Sequence, residues 1–309
     1  MKIVVYGTGG VGGFFGGKIA NAGYDITFIA RGEHLKAIEK SGLQVKSIDG
    51  SFTVYPNATD AIEEIKDADL ILLGVKSWQI TDVAKKLKPV IEKETMVLPL
   101  QNGADNADKL REVLPHHNVL AGLCKVVSKV EAPGVINHFD FVPEIVFGEY
   151  DNAKTDRILQ VKKIFDDAGF KNRIADDIHL DIWRKFIFIA TVSGIAALTR
   201  VVFGELKGDK AIRSLLEKNG KEIVQIANTK GIALTEKDIN VALDWIEGCD
   251  YNTTASMQRD IMEGKPSELE NFNGYIVKQG KELGIPTPVN EFVYNCLLPQ
   301  ERIARRAKA

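Results

Sequence analysis

Gly7-Thr8-Gly9-Gly10-Val11-Gly12 constrains this chain more than any other stretch. The six residues read G-x-G-x-x-G. They follow a short apolar run, Ile3-Val4-Val5-Tyr6, and lead into a helical stretch, Gly13 to Ala22. A strand, a glycine-rich turn and a helix in that order make a nucleotide-binding βα unit. Gly7 permits the tight bend, Gly9 lets the backbone approach a pyrophosphate, and Gly12 lets helix and strand pack closely. Thr8, Gly10 and Val11 complete the candidate cradle. The helix N-terminus adds N–H groups and a positive dipole end facing the phosphates.

The rest of the first half repeats that rhythm. Ile26 to Ile29, Leu70 to Leu73 and Met96 to Leu100 are short apolar runs, and Val119 to Ala121 begins a fifth. Uninterrupted runs of this length fit parallel strands covered on both faces. The alternation predicts an α/β, doubly wound parallel sheet. Val135 to His138 and Ile145 to Phe147 read as two extra strands forming a hairpin, and Asp156 to Ala168 as a helix. From about Asp176 helical periodicity takes over. Asp181 to Leu198, Lys210 to Lys230, Glu236 to Ile246, Thr254 to Met262 and Ser267 to Leu283 are the expected helices, with breakers at Gly231, Gly264-Lys265-Pro266 and Gly284-Ile285-Pro286. Two domains follow: a nucleotide-binding domain over residues 1–174 and an all-helical domain over residues 175–309.

Three positions lie where strands of such a sheet end, which is where ligands bind. Arg31 stands 19 residues after Gly12, the usual place of the ribose selector. An acidic residue there grips the ribose hydroxyls of NAD, whereas a guanidinium pairs with a 2′-phosphate. Arg31 therefore favours NADP(H). Lys76 follows the third run and offers a point charge to cofactor or substrate oxygens. Asn102 follows the fourth and bonds either ligand with its amide.

Composition excludes several classes. Lys+Arg 40 against Asp+Glu 42 leaves no positive field for nucleic acid or an anionic membrane. The one basic stretch, Arg302, Arg305, Arg306 and Lys308, reads as a frayed, solvated end. The longest apolar run, Phe186 to Leu198, is 13 residues, against about 20 for a membrane span, and reads as a buried helix. No signal peptide is expected, because the N-terminal apolar run is too short. Cys124, Cys249 and Cys296 suit a reduced, cytoplasmic protein and no disulfide framework. The five histidines show no metal-ligand spacing, so no metal is expected, and no GxSxG elbow supports hydrolysis. A homodimer through the helical domain and burial within one chain remain equally open.

Further motifs carry a family resemblance over nearly the whole length. They are Arg31 to Leu35, Val75-Lys76, Leu100-Gln101-Asn102-Gly103, Pro133 to His138, Trp183 to Phe186, Ser256-Met257 with Arg259-Asp260-Ile261, Glu268, and Asn273-Gly274-Tyr275. With Gly7 to Gly12 they resemble the ketopantoate reductases (2-dehydropantoate 2-reductases). The resemblance implies a Rossmann-like domain joined to a helical one. It also implies NADPH-dependent reduction of the ketone of a small 2-oxo acid, on the way to pantothenate and coenzyme A. Lys185 matches the family's general acid, which suits the negative charge left on oxygen when hydride reaches a ketone carbon. Ser256 matches a substrate-binding serine. Glu268 matches a glutamate that holds the cofactor or the catalytic lysine, and Asn102 a residue shared by cofactor and substrate. Ile189 and Ser193 occupy positions where many members place substrate-binding asparagines, and Phe203 a third such position. Asp105 stands where a glycine is frequent. These departures leave the redox chemistry intact and keep two alternatives in view. One is a D-2-hydroxy acid dehydrogenase for a bulkier 2-oxo acid. The other is a non-catalytic NADP-sensing module.

Overall fold

A computed structural model describes residues 1–308. The chain divides into two compact units, the first ending at Ile178 and the second starting at His179. The division falls a few residues past 174 because Ala175 still donates to the Phe147 carbonyl at 2.9 Å. Ile178 donates to Asn152 Oδ1 at 2.8 Å.

The first unit runs β1 (Ile3–Tyr6), α1 (Gly10–Asn21), β2 (Ile26–Ile29), α2 (Gly32–Ser41), β3 (Leu43–Ser47), β4 (Phe52–Val54), β5 (Asn57–Thr59), β6 (Leu70–Leu73), α3 (Ile80–Leu87), β7 (Met96–Pro99), α4 (Asn106–Arg111), β8 (Leu120–Ala132), β9 (Val135–Glu149), α5 (Asp156–Asp167) and β10 (Lys171–Ile174). One sheet has the order β5-β2-β1-β6-β7 with every pairing parallel. Four of its strands are buried throughout, which is why each reads as an unbroken apolar run. The chain reverses direction across the sheet between β1 and β6, the crevice where ligands bind in doubly wound folds.

A second sheet, β10-β9-β3-β4 with β8 antiparallel to β9, covers the other side of α1. That placement explains the odd composition of α1. Gly12, Gly13, Phe14, Phe15, Gly16, Gly17 and Ile19 are all buried, so the helix has almost no polar face.

Several sequence expectations change. Val119 to Ala121 is not a fifth strand of the parallel sheet: only Val119 bridges to Val97, and β8 starts at Leu120 and pairs with β9. Val135 to His138 and Ile145 to Phe147 are one continuous strand, β9, whose hairpin partner is β8. The periodicity reading missed α2, β3, β4, β5, α4 and β10. These segments are short and mostly polar, and neighbouring strands hold them in place.

The second unit is all helical: α6 (Ile178–Thr199, which starts at the last residue of the first unit), α7 (Phe203–Leu206), α8 (Lys210–Thr229), α9 (Glu236–Gly248), α10 (Ser256–Met262), α11 (Asn273–Leu283) and α12 (Pro288–Lys308). By length and composition α6 qualifies as a membrane span, but 67% of its most apolar window is buried inside the protein. It serves as the unit's core helix. Trp183 and Phe186 pack edge to face with centroids 5.6 Å apart, and Phe186 meets Phe272 at 6.2 Å and Tyr275 at 5.8 Å. The stretch 267–283 is not one helix. A 3-10 turn, Leu269–Asn271, precedes α11, and Phe272 at φ −108°, ψ −93° separates them. Asn273, fully buried, donates to Asn290 Oδ1 at 2.9 Å and so fixes where α11 begins. The basic end is not frayed. It continues α12, where Arg305 pairs with the buried Glu301; the Lys308 side chain lies outside the described residues.

Candidate active site

The register of the parallel sheet builds one edge of the site. Tyr6 lies opposite Ile29 on one side and Leu73 on the other, and Leu73 lies opposite Pro99. Four strands therefore end level, and their following residues leave from the same edge. These are Gly7 after β1, Ala30-Arg31 after β2, Gly74-Val75-Lys76 after β6, and Leu100-Gln101-Asn102 after β7. The sheet thus brings the glycine turn, Arg31, Lys76 and Asn102 to one side of the first unit.

The glycine turn has the shape a dinucleotide requires. Gly7 sits at φ +100°, which side chains other than hydrogen rarely tolerate. A Cβ on Gly12 would stand 2.1 Å from the Gly7 carbonyl oxygen, so helix and turn meet with no space for a methyl group. Gly9 is different. Its φ is −80°, and a Cβ there would find only the Gly74 carbonyl oxygen, at 3.9 Å. Internal packing does not require glycine at this position; an approaching phosphate does. No acidic side chain occupies the first turn of α1, leaving the N–H groups of its N-terminus to an anion. Thr8 is buried, and its hydroxyl donates to the Ile29 carbonyl at 3.0 Å, tying the turn to β2. The residues present fit a dinucleotide cofactor.

Around that turn, Arg31 is exposed at the start of α2. Lys76 is exposed, with its ammonium 5.5 Å from the Trp78 ring centroid, a cation–π contact that limits its wandering. Asn102 is half-buried beside Gly103, at φ +135°. The Asn102 loop is pinned by two side chains outside the expected set. Gln101 Nε2 donates to the Leu73 carbonyl at 2.8 Å, and Asn106 Nδ2 donates to the Gln101 carbonyl at 2.9 Å. Burial raises the Asp105 carboxyl above its ordinary value, opposed by Lys109 at 2.9 Å. His34 Nδ1 accepts from the Gly134 N–H at 3.0 Å. Burial pushes its imidazole below the ordinary value, partly opposed by the Thr8 backbone.

The other expected residues belong to the second unit. Lys185, Ile189 and Ser193 follow one another at helical spacing along α6. Lys185 and Ile189 are half-buried and Ser193 is buried. Lys185 is the last charged residue of α6, since Phe186 to Thr199 holds none. Its neighbour Arg184 is exposed and pairs with Asp238 at 2.9 Å. Ser256 is exposed at the first position of α10, and Glu268, 5% exposed, stands just before the 3-10 turn. Phe203, at 2% exposure, is a core residue of α7.

The ketopantoate reductase model, PanE/ApbA, matches residues 3–152, and its C-terminal counterpart matches residues 177–301. The chain belongs to the ketopantoate reductase family. Members are NAD(P)-dependent oxidoreductases acting on a CH–OH group. A 2-dehydropantoate 2-reductase from Nostoc sp. is 30% identical over 306 residues, covering 97% of this chain and 93% of its own. The crystal structure of a PanE/ApbA family ketopantoate reductase from Ralstonia eutropha superposes with a TM-score of 0.91 at 30% identity, covering 99% of this chain and 100% of that one. The ternary structure of a D-mandelate dehydrogenase with NADH and anilino(oxo)acetate shares the fold at 24% identity and a TM-score of 0.89, covering 99% of this chain and 100% of that one.

Within this family chain, the glycine turn, Arg31, Lys76 and Asn102 were readable from motif and strand position. Gln101 and Asn106 were not, because their roles depend on carbonyls that only the folded loop presents. The one available signal for Gln101 is its place between a strand end and Asn102.

Proposed function

We propose that this protein is an NADPH-dependent 2-oxo acid reductase whose substrate is 2-dehydropantoate and whose product is pantoate. The observation that carries the reading is Lys185, the half-buried charge at which the charged first turns of a core helix give way to the uncharged stretch from Phe186 to Thr199, in a ketopantoate reductase chain. Keeping a half-buried lysine there costs desolvation, and a proton-transfer role accounts for it.

Residues 1–174 would bind the cofactor and residues 175–309 would supply the substrate side. The backbone of Gly7, Thr8, Gly9, Gly10, Val11 and Gly12 holds the pyrophosphate, Arg31 pairs with the 2′-phosphate, and Lys76 and Asn102 take oxygens further along the cofactor. When bound, NADPH supplies a hydride to the ketone carbon of the substrate. Lys185 places a proton at the ketone oxygen and opposes the negative charge growing there. Ser256 holds the polar end of the substrate. Glu268 accepts a hydrogen bond from Lys185 or from a cofactor ribose hydroxyl. With only three cysteines, scattered along the sequence, the chain suits a cytoplasmic location, where thiols stay reduced.

Ile189 and Phe203 favour a second reading, in which the same chemistry serves a bulkier, less polar 2-oxo acid. A site that hydrogen-bonds a substrate hydroxyl discriminates strongly against analogues lacking it, and these two side chains supply no such bond. The deciding assay follows NADPH absorbance with 2-dehydropantoate and with aryl and branched 2-oxo acids in parallel. Faster turnover of 2-dehydropantoate supports the first reading, and preference for a bulky acid the second. Tight NADPH binding without turnover of any acid moves the protein to a sensing role. Lys185→Ala with normal turnover overturns the proton-donor role.

A further inference from the structure

Glu268 sits in a corner that α12 grips from both flanks. On one flank is Ser267, which is fully buried. Its backbone N–H donates to both carboxylate oxygens of Glu301, at 3.1 and 3.0 Å, and its hydroxyl donates to Glu301 Oε2 at 2.6 Å. The same hydroxyl oxygen accepts from the Leu269 N–H at 3.3 Å. Arg305 closes the ring. Its Nε lies 2.7 Å from Glu301 Oε1, and its terminal nitrogen donates to the Ser267 carbonyl at 3.1 Å. On the other flank the Tyr294 hydroxyl donates to the Glu270 carboxylate at 2.9 Å. Tyr294 and Glu301 are seven residues apart on α12, so they share one helix face. Between the flanks, the Glu268 carbonyl accepts from the Asn271 and Phe272 N–H groups, each at 3.0 Å.

The Glu301 side chain is 1% exposed. A carboxylate buried to that degree costs several kcal/mol of desolvation before its partners offset it. Apolar packing would attach α12 to this corner without that cost. What the charged ring adds is direction. The N–H of Ser267 fixes the peptide plane before it and the C=O fixes the plane after it, both through groups on one helix, and the second of these planes carries the Cα of Glu268.

We propose that Glu301, with Arg305, is a positioning residue that orients Glu268 through the Ser267 peptide. The inference rests on the role proposed above for Glu268. Removing the partner that orients a metal ligand typically costs about 10–100-fold in affinity or activity, and a loss at the low end of that range is expected here.

A double-mutant cycle tests it. Ser267→Ala and Glu301→Gln are each made in the wild-type and in the Glu268→Gln background. Every protein is measured for kcat and KM on its best 2-oxo acid, for NADPH affinity by fluorescence, and for thermal midpoint. The expected result is a loss of about tenfold in kcat or in NADPH affinity for each variant in the wild-type background, and almost none once Glu268 is already Gln. Equal fold losses in both backgrounds, or no loss in either, overturn the proposal. If Glu301→Gln does not fold, Ser267→Ala decides alone, since it removes one hydroxyl and keeps the ion pair. The two readings fail differently. Glu268→Gln with wild-type turnover and wild-type NADPH affinity overturns the role of Glu268 and the clamp with it. Additive losses beside a damaged Glu268→Gln overturn the clamp alone. Absence of 2-oxo acid turnover removes the substrate class, while the cycle on NADPH affinity still decides the clamp.

Discussion

Single side chains at the strand ends carry the sharpest consequences. Arg31 is exposed where a 2′-phosphate is expected, so Arg31→Ala should reduce kcat/KM for NADPH and leave that for NADH nearly unchanged. A charge-assisted hydrogen bond contributes about 2 kcal/mol, which corresponds to roughly 30-fold. Steady-state kinetics with both cofactors reads the split, and equal losses with both would remove Arg31 as the selector. His34 makes a different prediction. Burial lowers its imidazole below 6.5, and its Nδ1 accepts from Gly134 only while unprotonated. The unfolded chain therefore binds a proton there that the folded chain resists. Stability should fall as pH drops below about 6.5 and level off once the folded imidazole protonates too. His34→Gln should flatten that part of the curve, read as thermal midpoint from about pH 7.5 to about pH 5. Parallel curves for both proteins would show that His34 does not contribute.

Elements place these side chains, and the elements were unequally legible. β1, β2, β6 and β7 were readable because strands covered on both faces must be apolar throughout. β5, Asn57–Thr59, has no such pattern and forms because β2 offers it an edge. The corner at Phe272 was hidden for a similar reason: the helical period runs through it, while Asn273 and Asn290 decide where α11 starts. The Asn102 loop offers a test at this scale. Asn106→Ala removes the donor to the Gln101 carbonyl and should cost about 1–2 kcal/mol in urea denaturation. It should also weaken NADPH binding by releasing Asn102. Loss of stability with unchanged NADPH affinity would limit Asn106 to a structural role.

At the scale of the whole molecule, two units divide the work differently. The first presents level strand ends to a dinucleotide; the second is built on a single apolar helix bearing one candidate proton donor. NADPH should accordingly slow hydrogen exchange at residues 7–13, 30–34, 74–79 and 100–106 before any other part of the first unit. Mass spectrometry with and without NADPH checks this, and uniform protection of β3, β4 and β10 instead would place the cofactor elsewhere. The sequence by itself determined the glycine turn, the four apolar strands, the change from alternating to helical periodicity, and the family to which the chain belongs. All are local patterns: burial on both faces, a 3.6-residue period, a bend that excludes side chains. Only the tertiary structure decided the long β8–β9 hairpin and the helical C-terminal end. It alone joined Glu301 to Ser267, 34 residues away, and His34 to Gly134, 100 residues away. Periodicity records which face of an element is buried, but it cannot record which distant polar group will meet it there.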